Sequence, residues 1–143
     1  MVVQWLELEV LYLEIEINMK KVISTNKAPK AIGPYSQAIL SNNTLYCSGQ
    51  IAIDPKTSCL IIDNIKNETS RIMQNICAVL EEAGMNTQNI VKCSIFIKNM
   101  NDYDEINEIY SQYFKSEYPA REVIQVSALP KNVNVEISIN AVK

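Results

Sequence analysis

The sequence predicts a two-layer α+β fold, in which a sheet packs one face against two helices. Three observations lead there. Two stretches repeat apolar residues at helical spacing, several others alternate them with a period of two, and together they run strands, helix, strand, helix, strands. At 143 residues the chain has the length of one domain.

From the N-terminus, Trp5 to Ile17 alternates apolar and acidic residues, with a phase slip near Val10 and Leu11, and that is a strand's period. Residues 1–18 read as an N-terminal extension, either an extra strand laid on the body or an appended leader, and residues 19–143 as a single domain. Tyr35 to Leu40 and Thr44 to Ser48 flank Ser41-Asn42-Asn43 and predict a hairpin. The clearest helix runs from about Asp63 to Ala83. Ile65, Thr69, Ile72, Ile76, Val79 and Ala83 fall at spacings of 4, 3, 4, 3 and 4 along it and give one buried stripe. Asp63 or Asn64 caps its start and Gly84 ends it.

Ile90 to Lys98 predicts a half-buried strand, with Val91, Cys93, Ile95 and Ile97 on its inner face. A second helix is expected from about Asn101 to Phe114, with Ile106, Ile109, Tyr110, Tyr113 and Phe114 toward the core and Pro119 soon after its end. Arg121 to Val126 and Val133 to Val142 complete the chain as strands joined by the turn Leu129-Pro130-Lys131-Asn132. The second face of the sheet stays polar without being purely solvated, which suits a subunit interface.

Composition narrows the chemistry. Histidine is absent, so Ser-His-Asp and Cys-His arrangements, His-based ribonuclease chemistry and nearly all common catalytic zinc sites are excluded. Cys47, Cys59, Cys77 and Cys93 are spaced 12, 18 and 16 apart, with no C-x-x-C pair, and read as buried free thiols of a reducing compartment. Thirteen basic against sixteen acidic side chains give a net charge of −3, which repels phosphate backbones and anionic lipid. With no 18-residue apolar run and no signal peptide, the expected setting is the cytoplasm, away from membranes and nucleic acid.

Three constellations can carry chemistry. Gly33-Pro34-Tyr35-Ser36-Gln37 places a Gly-Pro bend before a strand, which either aims the Tyr35 hydroxyl outward or packs it as part of a rigid turn. Ser48-Gly49-Gln50 ends a strand with one of only three glycines, marking a close backbone approach or an ordinary bulge. Pro119-Ala120-Arg121 and Val135-Glu136-Ile137 put an Arg and a Glu on consecutive strands, where adjacent antiparallel pairing brings them within reach. Such a pair forms a surface salt bridge, or else Arg offers a planar fork to a carboxylate while Glu orients a water.

Taken together the residues resemble the RidA/YjgF family of reactive-intermediate deaminases, also labelled endoribonuclease L-PSP. The matching text is Ala31-Ile32-Gly33-Pro34-Tyr35-Ser36-Gln37-Ala38, Ser48-Gly49-Gln50-Ile51, Asp54-Pro55-Lys56-Thr57, Leu80-Glu81-Glu82-Ala83-Gly84, Asn107 with Tyr110 and Phe114, Pro119-Ala120-Arg121, and Leu129-Pro130-Lys131 through Val135-Glu136-Ile137. The resemblance spans about Val22 to Val142. It implies a chorismate-mutase-like α+β subunit with a mixed sheet on two helices, assembled as a homotrimer with ligand clefts between subunits. It also implies hydrolysis of the enamines and imines 2-aminoacrylate and 2-aminocrotonate to 2-oxo acids and ammonia, with no cofactor and no metal.

Carried onto this chain, the resemblance makes Arg121, Glu136 and Tyr35 catalytic: Arg121 binds the carboxylate bidentately, Glu136 positions the attacking water, and Tyr35 lines the cleft. Ser48, Gly49 and Asn107 are the implied substrate-binding residues. Three positions depart from the family pattern. Ser58 stands where a Gly closes the P-x-T-G turn, Val123 where a Cys is frequent, and Glu68 where a Gln is common. The same pocket also suits a rival reading, a trimeric binding or regulatory module that holds a small carboxylate without turnover. A ribonuclease role fits poorly with the acidic balance and the missing His.

Overall fold

The computed structural model describes residues 20–143, so the strand expected over Trp5 to Ile17 lies outside the described residues. Six strands form one mixed sheet: β1 (Lys21–Ile23), β2 (Ala38–Ser41), β3 (Thr44–Gln50), β4 (Ile90–Ile97), β5 (Ala120–Gln125) and β6 (Val135–Val142). Among the described residues there are two α-helices, α1 (Ile65–Glu82) and α2 (Tyr103–Ser111). The strand order is β1-β2-β3-β6-β4-β5; every neighbouring pair is antiparallel except β4 with β5, which the α2 crossover makes parallel.

Helix α1 forms where its stripe requires. Ile72, Ile76 and Val79 are fully buried beside Met73 and Leu80, and each such side chain contributes about 1.5–3 kcal/mol of burial. The Asn64 side chain accepts the Asn67 N–H at 2.9 Å and caps the first turn. Gly84, at φ +69°, supplies the left-handed residue that releases the chain. Opposite the helix lie Cys93, Ile95 and Ile97 of β4 and Val135, Ile137 and Ile139 of β6, the alternate residues of two central strands.

Several expectations are corrected in detail. Val91 is 48% exposed, because a register shift between Ile90 and Lys92 seats Ile90 in the core instead. Tyr35 to Gln37 precede β2 rather than lying within it. The second helix begins with a 3₁₀ turn over Met100–Asp102, capped by Asn99, and its α-helical part stops at Ser111. Tyr110 and Phe114 still reach the core as expected. Of the four thiols Cys47 and Cys93 are buried, but Cys59 is exposed and Cys77 half-buried. Burial pushes the Cys47 thiol up to about 12, so it is not a nucleophile.

The largest correction concerns the last two strands. They are not neighbours: β4 lies between β5 and β6, so the turn around Pro130 is a crossover connection and not a hairpin. Arg121 pairs with Cys93 and Glu136 with Phe96. Paired residues share a face, and Cys93 points to the helices whereas Phe96, three residues on, points to the open face. Arg121 and Glu136 therefore project from opposite sides of the sheet. Their register places the two Cα atoms roughly 14 Å apart, from three residue steps along β4 and two strand spacings across it.

The open face is mixed in character. Glu122 binds Lys92 in an ion pair and accepts a hydrogen bond from Ser94, while the row Val22, Ile39 and Tyr46 crosses β1 to β3. Tyr46 is 52% and Val22 57% exposed.

Candidate functional site

The described residues hold two half-sites, one on each side of the sheet. On the helix side, the guanidinium of Arg121 donates from Nη1 to Asn107 Oδ1 at 2.7 Å and from Nη2 to Tyr103 Oη at 2.9 Å. Its carbon lies 5.0 Å from the ring centroid of Tyr110 and 5.7 Å from that of Tyr103, within cation–π range. Tyr103, Asn107 and Tyr110 fall at i, i+4 and i+7 and so share one face of α2. A cavity of about 500 Å³ opens beside them, walled by Arg121, Asn107, Tyr110, Ser111, Tyr118 and Pro119.

This nest holds a cation without neutralising it. No carboxylate forms an ion pair with Arg121 among the described residues, and two of the five guanidinium N–H groups are taken by neutral oxygens. Enough donors remain for a bidentate anion. Beneath it the Tyr110 hydroxyl is buried with no hydrogen-bond partner among the described residues, and burial holds its proton well above the usual phenol range.

The second half-site surrounds Glu136. A cavity of about 490 Å³ is bounded by Glu136, Ser48, Gly49 and Gln50 on the sheet, Tyr35 and Ile32 on the loop before β2, Ile51 and Ile53 after β3, and Pro130 with Lys131. The Glu136 side chain crosses directly over Gly49: a Cβ added there would stand 2.0 Å from Oε1. Only a glycine leaves room for the Glu136 carboxylate in that position, next to the irregular β3 register between Cys47 and Gln50. Partial burial raises the Glu136 carboxyl above the usual carboxylate range.

Buried amides shape this cavity. Gln37 accepts the Thr25 N–H at 2.7 Å and donates to the carbonyls of Thr25, Ala28 and Pro29, which ties the N-terminal loop against β2. Asn75 on α1 donates to the carbonyls of Ile51 and Ile53, fixing the two apolar walls. The carboxylate of Glu68, fully buried, accepts the backbone N–H groups of Asn134 and Val135 and the Asn134 amide, and so anchors the start of β6. The Ser48 hydroxyl donates to the Ser36 carbonyl at 2.6 Å. Its role is to hold the Tyr35 loop to β3.

Tyr35, Ser48, Gly49 and Glu136 thus come together, and so do Arg121 and Asn107, but within one chain the groups do not meet. Sequence reasoning missed Tyr103, whose i, i+4 spacing to Asn107 was the available signal. It also missed Lys131, which lines the Glu136 cavity from a left-handed backbone at φ +54°. Ser58 likewise adopts the left-handed conformation, φ +60°, that a glycine would adopt without strain.

Comparison with known proteins agrees with the fold and the motifs. The family model described as endoribonuclease L-PSP matches residues 25–143. A RutC family protein of Pyrococcus horikoshii is 47% identical over 87% of this chain and 99% of its own. The 2-iminobutanoate/2-iminopropanoate deaminase of Homo sapiens is 45% identical over 87% of this chain and 91% of its own. The crystal structure of E. coli TdcF with bound serine superposes with a TM-score of 0.83 at 36% identity, covering 86% of this chain and 98% of that one. With its mixed six-stranded sheet on two helices and nearly all of its described length matched, the chain belongs to the endoribonuclease L-PSP family, the RidA/YjgF proteins whose motifs it carries.

Proposed function

We propose that this protein hydrolyses small 2-imino acids, formed from enamines such as 2-aminoacrylate and 2-aminocrotonate, to 2-oxo acids and ammonia, in clefts between the subunits of a homotrimer. The observation that carries the reading is the division of the site. A cation with free donors and a carboxylate with a raised pKa each border a cavity of about 500 Å³, on opposite faces of one sheet. They complement each other only when one subunit's Arg121 half faces its neighbour's Glu136 half. The half-apolar open face, with Tyr46 and Ile124 exposed, supports such an assembly. The deaminase name carried by the human relative supports the reaction, and serine bound to TdcF supports a small carboxylate ligand.

The chemistry asks little of the protein. The substrate carboxylate takes two N–H groups of Arg121, which turns the protonated imine carbon toward the Glu136 cavity. The Glu136 carboxylate accepts a proton as water adds to that carbon, giving a tetrahedral aminoalcohol. It returns the proton to the nitrogen, the C–N bond breaks as Glu136 takes the hydroxyl proton, and the 2-oxo acid and ammonia leave, the ammonia carrying that proton away as ammonium. A carboxyl raised by partial burial suits this exchange, since it is a better base than an ordinary surface carboxylate. Tyr35 and Ser48 frame the water side, and Asn107 orients the guanidinium.

A trap decides the reading. A serine or threonine dehydratase generates the enamine, semicarbazide captures the surviving imine, and the wild-type protein is compared with Arg121→Ala and Glu136→Ala. Loss of trapped product is expected with wild type alone, the Arg121 variant falling by roughly 10²- to 10⁴-fold for two lost charge-assisted hydrogen bonds. Undiminished trapping with wild type, alongside tight binding of 2-oxo acids, makes the protein a carboxylate-binding module instead.

A further inference from the structure

Resting on the reading of Arg121 as the carboxylate site, we propose that Tyr103 is a positioning residue that sets the orientation of the Arg121 fork. Its hydroxyl accepts from Nη2 at 2.9 Å and makes no other hydrogen bond among the described residues. Asn107, one helical turn away, takes Nη1 at 2.7 Å. The two acceptors grip both ends of the guanidinium from the same face of α2. Nε and one hydrogen on each Nη remain for a ligand.

Tyr103 does not line the cavity beside Arg121, whereas Asn107 and Tyr110 do. It therefore acts through the guanidinium and not on the ligand. Nor does Tyr110 duplicate it: the Tyr110 ring lies nearer the guanidinium carbon, but its hydroxyl is buried and makes no hydrogen bond to Arg121. Without the Tyr103 anchor, Arg121 keeps one acceptor and regains freedom about its long side chain, which ligand binding must then remove.

The test is Tyr103→Phe, which keeps the ring and removes the anchor. Calorimetric titration with 2-oxobutanoate is run on wild type, Tyr103→Phe, Arg121→Ala, Arg121→Lys and Tyr103→Phe/Arg121→Lys, with thermal melts of each. Tyr103→Phe is expected to weaken binding roughly 3- to 10-fold, from the side-chain freedom that ligand binding must then remove from Arg121. Its thermal melt stays cooperative, and KM rises while kcat holds. In the Arg121→Lys background the same change is expected to alter Kd less than about twofold, because a lysine has no fork to orient.

If Tyr103→Phe binds like wild type while Arg121→Ala loses binding, the inference fails and the Arg121 reading stands. If Arg121→Ala binds like wild type, both fail. An equal loss from Tyr103→Phe in the wild-type and Arg121→Lys backgrounds assigns Tyr103 to general packing and overturns its positioning role.

Discussion

The two half-sites are built in opposite ways. Arg121 is clamped: two side chains of α2 bond it, two aromatic rings flank it, and its charge has no counter-ion among the described residues. Glu136 is cleared for use instead. Glycine takes the place beneath it, isoleucines and a proline form much of the wall, and its carboxylate has no ion pair among the described residues. The contrast matches what the proposed reaction would ask of each charge. An anchor for a carboxylate gains from rigidity, because orientation entropy is removed before the ligand arrives. A proton acceptor gains from partial desolvation and from freedom to meet water, because strong fixed partners would lower its basicity.

The comparison is broken most directly by mixing subunits. Arg121→Ala and Glu136→Ala are each expected to be inactive alone. Co-expressed, they should regain about a quarter of wild-type activity, since only a cleft with Arg121 from one variant and Glu136 from the other is whole in a heterologous ring. A mixture that stays inactive would place both residues in a single subunit's site, against the register of β4.

Next in size is Gly49→Ala. The added methyl occupies the space of the Glu136 carboxylate, whose flexible end can swing aside, so folding is largely retained. Turnover is expected to fall by roughly 10²-fold or more, as for loss of a general base, while 2-oxo acid binding at Arg121 changes little. Equal losses of binding and turnover would mean that the halves are not separable.

The smallest effect is on stability. The folded protein holds the Glu136 proton more tightly than the unfolded chain does, so stability falls as pH rises through the ordinary carboxylate range and levels off above the raised value. Glu136→Gln removes this cost. It is expected to melt above wild type at pH 7, with the difference vanishing as the pH drops below about 4. A difference independent of pH would mean that ionisation of Glu136 is not what burial penalises.

Much of this was legible in the residues themselves. The apolar line of α1 was legible in the spacing from Ile65 to Ala83, because a helix repeats its contacts locally, whereas the burial of Glu68 and Asn75 on the same helix depends on distant backbone partners. The Gly49 approach could be suspected from a glycine at a strand's end, but its partner could not be known, since Glu136 arrives from a strand 87 positions later in the chain. Tyr103 was overlooked for a related reason. On a helix with several aromatics, nothing local distinguishes a ring that packs from one whose hydroxyl meets a distant guanidinium.

The sequence by itself determined the two helices and most of the strands, the end of α1 at Gly84, its start at Asp63 or Asn64, the inner face of β6, and the family to which the motifs point. All of these follow from interactions among residues close in the chain, or from a period that the chain repeats. Only the tertiary structure decided which strands are neighbours. Insertion of β4 between β5 and β6 put Arg121 with the helices and Glu136 on the open face, although the sequence presents them as consecutive strands across one turn. Strand order depends on which long-range pairings bury the most apolar surface together. No local period encodes that choice, and it divides the candidate site into two halves.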